Sequence, residues 1–408
     1  MNFVYCDASL INARAGHYVS ICRAVANEVK SRGINTLILA HQQIESELAK
    51  ELGATPFFAC NPNQRFSEDP LCGWLLDFHH NSQSMTQDLA RINGLGSTDI
   101  LWYDTSLQAQ FMALITWAQT TFTPSTCPHI FVAFNEYPGV VPTRNSDGDG
   151  EVISWEVRHL PSILYRFAST QLQDAFREKF HLITGDFSHA LAYKYLIGRP
   201  VLEAPHFFKT KKNCDLRKIQ PSMTIGFLGV QRPHHGFQYV PEIVKNILAF
   251  NNSAKVIVHD SGGRMPQVVN EIRFLSHNEP RLELITSGME GESEWNALLE
   301  RCDLLVFPYD QASYSTSISG ISVEAVIRGI PQVATANTGT SQMLSKYGMP
   351  GVVYDDTKPI VDSVVLAIED VLINYEEYAL RAYRASELWA SKNGPDKLVD
   401  FVLSLVSK

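Results

Sequence analysis

Short continuous apolar runs alternate with longer amphipathic stretches along most of the chain. Residues 2–6 (NFVYC) have the length and composition of a buried strand. Residues 17–32 (HYVSICRAVANEVKSR) place apolar positions at helical spacing, and Gly33 stands where a helix stop is expected. Residues 34–41 (INTLILAH) return to the strand pattern. This opening predicts a βαβ unit, whose crossover is right-handed in nearly all sheets.

The rhythm continues with strands expected at 99–104, 128–136 and 181–186, and helices at 106–122, 160–180 and the stretch ending at Gly198. It breaks at 203–222, which holds two prolines, the basic residues Lys209, Lys211, Lys212, Arg217 and Lys218, and no apolar period. That composition predicts an interdomain linker. Its basic residues read either as a solvated linker or as a patch touching anionic lipid.

A second α/β series then starts. Strands are expected at 223–229, 254–260, 281–286, 303–309, 330–336 and 351–356. Helices are expected at 237–250, from 261 through 275, 294–302, 322–329, 361–392 with a break, and 396–407. The predicted fold class is α/β: two doubly wound Rossmann-like domains facing each other across a cleft. Their expected bounds are 1–203, a linker over 204–222, 223–385, and terminal helices over 386–408 that pack back on the N-terminal domain. In such sheets ligands bind beyond the C-terminal ends of the strands.

Composition narrows the partners. The 408 residues are 45% apolar and 19% charged, the profile of a globular chain of more than one domain. A net charge of -9 argues against a dedicated nucleic-acid binder. The cysteines Cys6, Cys22, Cys60, Cys72, Cys127, Cys214 and Cys302 are dispersed, with no CxxC, which favours buried reduced thiols. Neither a signal peptide nor an apolar run of membrane-spanning length stands in the sequence. The expectation is a cytoplasmic protein whose membrane contact, if any, is peripheral.

Residues 303–339 (DLLVFPYDQASYSTSISGISVEAVIRGIPQVATANTG) carry the most specific pattern. A strand ends at Pro308-Tyr309, a loop of Ser, Thr and Gly follows, and a helix is expected to open near Ser322 with Glu324 in its first turn. Small residues ahead of a helix leave backbone N–H groups exposed at the positive end of its dipole, which suits an anion. A glutamate there suits the two hydroxyls of a sugar diol. The same residues also read as an ordinary N-cap, at Ser319 or Ser322, with an acid that favours the dipole.

This segment resembles the donor-site signature of family-4 retaining glycosyltransferases, which have the GT-B fold. The matching residues are Glu324-Ala325, Gly329, Pro331 and Val333-Ala334-Thr335. The resemblance implies that Glu324 binds the nucleotide ribose, and that Tyr314 and the amides of Ser319, Gly320 and Ile321 meet phosphate or sugar. Thr316 stands where the family has a second glutamate. Residues 225–244 (IGFLGVQRPHHGFQYVPEIV) resemble the family's strand–Gly-Arg–loop–Lys-Gly–helix segment, with Gly229 matching and Val230 in the arginine place. Arg232, two residues on, and His235, in the lysine place, are then the expected groups facing the leaving diphosphate. His235, neutral or charged near pH 7, would be a weaker and pH-dependent substitute for the lysine.

On the N-terminal side, residues 11–40 resemble the family's first glycine-rich loop and helix, with Gly16 and His17 at the turn. Asn135 and Glu136 end a strand and are candidates for the acceptor's hydroxyls; Thr184 and Asp186 hold the same place on another strand. The candidate catalytic residues are Arg232, His235 and His17. A separate signal lies at 145–156 (NSDGDGEVISWE), where Asn145, Asp147, Asp149, Gly150, Val152 and Glu156 fall at the positions of a calcium loop. The other reading of it is an acidic surface turn.

The expected function is transfer of a hexose-type sugar from a UDP- or GDP-sugar to a hydroxyl acceptor on a glycan, lipid-linked carrier or small molecule. Retention, a role in polysaccharide biosynthesis and independence from metal follow from the resemblance. The alternatives are a non-catalytic nucleotide-sugar-binding paralogue and a sugar-nucleotide epimerase, the latter disfavoured by the lack of a paired acid/base set.

Overall fold

The fold is seen in a computed structural model, which describes residues 1–12, 17–144, 152–208, 215–287, 292–355 and 359–407. The chain divides into two compact units, one of residues 1–209 with 393–408 and one of residues 210–392.

The first unit runs β1 (Asn2–Asp7), α1 (His17–Ser31), β2 (Asn35–His41), α2 (Ser46–Leu52), β3 (Ala54–Phe58), α3 (Gly73–Leu89) and β4 (Ile100–Tyr103). It continues with α4 (Gln108–Thr121), β5 (His129–Ala133), the hairpin β6 (Val140–Arg144) and β7 (Val152–Val157), α5 (Ile163–Gln171), β8 (Phe180–Thr184), α6 (Phe187–Ile197) and β9 (Leu202–Glu203). Its main sheet is parallel, in the order β3-β2-β1-β4-β5-β8-β9. Successive strand side chains point to opposite faces. Phe3 and Tyr5 therefore meet Val25 and Val29 of α1, while Val4 and Cys6 meet the aromatic and aliphatic core beneath α4.

The second unit carries β10 (Thr224–Phe227), α7 (Val240–Phe250), β11 (Lys255–His259), α8 (Pro266–Asn278), β12 (Leu282–Ile285), α9 (Glu292–Glu300) and β13 (Leu304–Phe307). Next come α10 (Gln311–Tyr314), α11 (Gly320–Ile327), β14 (Gln332–Thr335), α12 (Gly339–Lys346), β15 (Gly351–Tyr354), α13 (Ile360–Ile373) and α14 (Tyr375–Lys392). All its strands are parallel, in the order β12-β11-β10-β13-β14-β15. A final helix, α15 (Pro395–Val406), returns to the first unit. There Leu398, Val399 and Val402 are buried with α1, and Arg32 pairs with Asp400 at 2.5 Å.

Both sheets are doubly wound, and the α/β class expected from the pattern holds. Several elements differ in detail. The helix expected over 160–180 is α5 flanked by two 3-10 turns, because the chain turns extended at Leu172 and Gln173. The helix expected from Ser322 starts at Gly320; Ser322 is inside it, buried, with its hydroxyl on Gln332 at 2.5 Å. β3, the β6–β7 hairpin and α2, α3 and α12 had no counterpart in the expected elements.

Candidate functional site

In the second unit the strand order reverses between β10 and β13, so the loops leaving these two strands diverge and open a crevice at their C-terminal ends. The loop after β10 is held from both sides. Gly229 has φ 120, and a Cβ on it would lie 2.7 Å from Ile321 Cδ1 at the start of α11. Gly236 has φ 71, and a Cβ there would lie 2.0 Å from the Pro308 carbonyl oxygen, just past β13. Only glycine combines those dihedrals with such close approach. Asp260, after β11, accepts from the backbone N–H groups of Gln231 at 3.1 Å and Gly262 at 2.9 Å. The Asp310 N–H donates to the His234 carbonyl at 2.9 Å.

The sequence candidates Gly229, Ser319, Gly320 and Ile321 are thus brought together. Ser319 is the N-cap of α11; its hydroxyl makes no cap bond and instead meets the Tyr309 hydroxyl at 3.1 Å. The first-turn amides of α11 have no partner within the helix and carry its positive end. Arg232 is half-buried, and its Nε is buried without a hydrogen-bond partner. Arg264, after the Gly262-Gly263 turn, lies close enough to Arg232's loop to hold down the basicity of both His234 and His235. Sequence reasoning missed Arg264. Its signal was the Gly-Gly-Arg at the C-terminal end of β11, one strand away from the matched loop.

His235 stands half-buried in the same loop. Burial, helped by neighbouring His234 and Arg232, pushes its imidazole down to about 4. The neutral form is therefore favoured at pH 7, one of the two states the sequence left open. The Tyr314 hydroxyl lies 2.5 Å from its Nε2. In the tautomer with the proton on Nδ1, the phenol donates to Nε2. Burial raises Tyr314 well above the usual phenol, so it stays a donor. Tyr309 packs against both, 4.9 Å from the His235 ring and 4.3 Å from the Tyr314 ring.

Glu324 lies on the second turn of α11. Trp295 Nε1, from α9, donates to both carboxylate oxygens at 3.1 Å, and Arg328 approaches Oε2 at 3.2 Å. Thr316 is fully buried, with its hydroxyl unpartnered. Within the same unit a cavity of about 570 Å³ opens among His234, Tyr239, Pro308, Asp310 and Thr335.

In the first unit the order reverses between β1 and β4, where two carboxylates that sequence reasoning missed sit buried: Asp7 at the end of β1 and Asp104 just past β4. Asn135 Nδ2 donates to Asp104 Oδ1 at 3.1 Å, and Tyr18 of α1 donates to Glu136 at 2.7 Å. Burial and the neighbouring Asp104 raise Asp7, and burial raises Asp104 to about 6. His17 opens α1. Gly16 lies outside the described residues, as do residues 145–151 of the calcium-loop motif; its last member, Glu156, pairs with Arg158 at 2.7 Å. Among the described residues no group of three His, Cys, Asp or Glu is placed to hold a metal, and no helix is long and apolar enough to cross a membrane.

No protein-family model matches the chain, and no curated protein does. Solved structures do. HepE from Anabaena, in complex with UDP and glucose, is 14% identical with a TM-score of 0.63, each chain covered over 100%. A glycosyltransferase from Rickettsia africae is 11% identical with a TM-score of 0.63, covering 100% of this chain and 98% of its own. The sucrose-phosphate synthase of Thermosynechococcus elongatus is 9% identical with a TM-score of 0.62, over 100% and 98%. At such identities the likeness defines the fold: this chain has the GT-B architecture of two Rossmann-like units, shared with glycosyltransferases.

Proposed function

We propose that the chain is a glycosyltransferase that takes its sugar from a nucleoside-diphosphate sugar, bound at the C-terminal ends of β10 and β13. The observation that carries this is the meeting of three features within one unit. The Gly229 turn abuts the start of α11, Arg232 brings an unpartnered buried Nε, and Glu324 stands one turn along the helix. An anion meets the amides and guanidinium, and a ribose meets the carboxylate. The fold shared with HepE, whose structures hold UDP and UDP-glucose, supports UDP as the nucleotide.

The reaction we assign is the family-4 type. The bond from the sugar's anomeric carbon to the diphosphate breaks, a bond to an acceptor hydroxyl forms on the same face, and the hydroxyl proton passes to the leaving phosphate. Arg232 stabilises the charge that develops on that phosphate. His235 and Tyr314 act as a neutral pair that shapes the loop. On the first unit Asn135 and Glu136 are the proposed acceptor-side residues. This chemistry asks for no metal.

The test is a thermal-shift screen with UDP, UDP-glucose, GDP and ADP, since a ligand of the folded state alone raises the melting temperature. A shift with one nucleotide that disappears in Glu324→Ala supports the reading; no shift with any of them sinks it. A second reading, binding without turnover, is favoured by the neutral His235 and the buried Thr316. Slow donor hydrolysis in the absence of acceptor decides for the enzyme, and binding with no hydrolysis decides for the binder.

A further inference from the structure

The Glu324–Arg328 pair is spaced i,i+4 on α11, and such pairs on a helix surface are ordinarily weak and conformationally loose. Here the side chains are only 19% and 13% exposed, and a second element grips both. Consecutive residues of α9 divide the work: Trp295 donates its indole N–H to the Glu324 carboxylate, and Asn296 Oδ1 accepts from Arg328. The indole Nε1 sits at the same 3.1 Å from each carboxylate oxygen, midway between them, and so ties the carboxylate group to α9. The ring itself lies against His259, at the end of β11, with centroids 5.8 Å apart.

We propose that Trp295 is a positioning residue for ribose recognition: its N–H orients Glu324 so that the carboxylate receives the 2′- and 3′-hydroxyls of the donor nucleotide. This rests on the donor-site reading above. A diol offers two O–H groups at a fixed separation, and only a carboxylate whose plane is already set meets both without first losing rotamer freedom. An indole placed there for packing alone would bury its ring without directing the N–H at an acid.

The experiment compares UDP and GDP, each beside its 2′,3′-dideoxy counterpart, by calorimetric titration of the full chain and of Trp295→Phe. Phenylalanine keeps an aromatic ring and removes the N–H. The expected result is an affinity loss of about tenfold for the ribonucleotide, the scale of one hydrogen bond to a charged group. The dideoxy ligand should bind the variant as it binds the wild type, so discrimination between the two collapses. Equal loss for both ligands, or no loss for either, overturns the proposal in favour of packing. Asn296→Ala, which cuts the tie to Arg328, is the second variant, expected to shift the ratio the same way by less; should Trp295→Phe not fold, an unchanged ratio in Asn296→Ala overturns the proposal. Failure of the wild-type chain to bind either ribonucleotide is a different result: it removes the donor-site reading itself, and this inference with it.

Discussion

The Tyr314 hydroxyl and His235 Nε2 are 2.5 Å apart, and that one contact joins the loop after β10 to the short helix after β13. It also occupies the nitrogen that would otherwise take a proton near neutral pH. Carbon-13 labelled histidine spectra should therefore show a His235 signal, identified by its loss in His235→Gln, that does not titrate between about pH 8 and about pH 5. A midpoint near the ordinary histidine value would show that the ring is a cation after all.

Arg232 is predicted to serve the phosphates and not the nucleoside. Arg232→Ala should weaken UDP by roughly tenfold or more, the scale of a charge-assisted hydrogen bond, while leaving uridine unchanged. Calorimetric titration with both ligands checks this. Parallel loss for uridine would place Arg232's contribution in the loop's shape instead of the diphosphate.

The buried pair Asp7 and Asp104 titrates against the fold. Both carboxyls are raised, Asp104 to about 6, so between the ordinary carboxyl value and that point the folded state holds more protons than the unfolded one. Their contribution is most favourable below about pH 4 and is lost as pH rises through about 6. Asp7→Asn retains an oxygen for the Ser9 N–H, which Asp7 accepts at 2.7 Å, and removes one like charge. The variant should gain stability of the order of 1–3 kcal/mol at about pH 8 relative to wild type, and less at about pH 5. Urea unfolding at the two pH values is the measurement; a loss at the higher pH contradicts the assignment.

His189 has the opposite sign. It is buried on α6, and burial alone pushes it down to about 4. The folded state prefers it neutral, so its contribution is complete above the ordinary histidine value and is lost as pH falls from about 6.5 to about 4. His189→Gln should flatten the acid limb of the stability curve by up to about 3 kcal/mol, since a tenfold change in proton affinity is worth roughly 1.4 kcal/mol. Melting temperatures across that window for both proteins would show the difference, and superimposable limbs would refute it.

The parts of this fold that were legible in the sequence are those whose patterning is carried by burial. β1, β4, β10, β11 and β13 are nearly all buried, so each reads as a short apolar run. β3 did not read as a strand because it lies at the sheet edge and contains Pro56. α3 (GWLLDFHHNSQSMTQDL) buries few of its large side chains, which leaves a polar sequence with little helical period. At the candidate site, the glycines were found because a backbone that must approach closely restricts residue type, and Glu324 because of its place in the segment that resembles a donor-site signature. Trp295 and Arg264 were not, since one comes from α9 and the other from the connection after β11, and only the strand order puts these segments beside the matched loop. The charge of His235 stayed open in the sequence, because a proton's affinity depends on burial that no local spacing records.

The helix α15 has a consequence for how the protein is made. The chain leaves the first unit after residue 209 and re-enters it at residue 393, so the second unit is an insertion within the first. On a ribosome, where domains fold in order of emergence, residues 210–392 form a continuous stretch able to complete their sheet before the last helix has emerged. The first unit, though begun earlier, stays open along α1 until Leu398, Val399 and Val402 arrive. The segment synthesised first is thus finished last, its α1 keeping an apolar flank uncovered until α15 arrives.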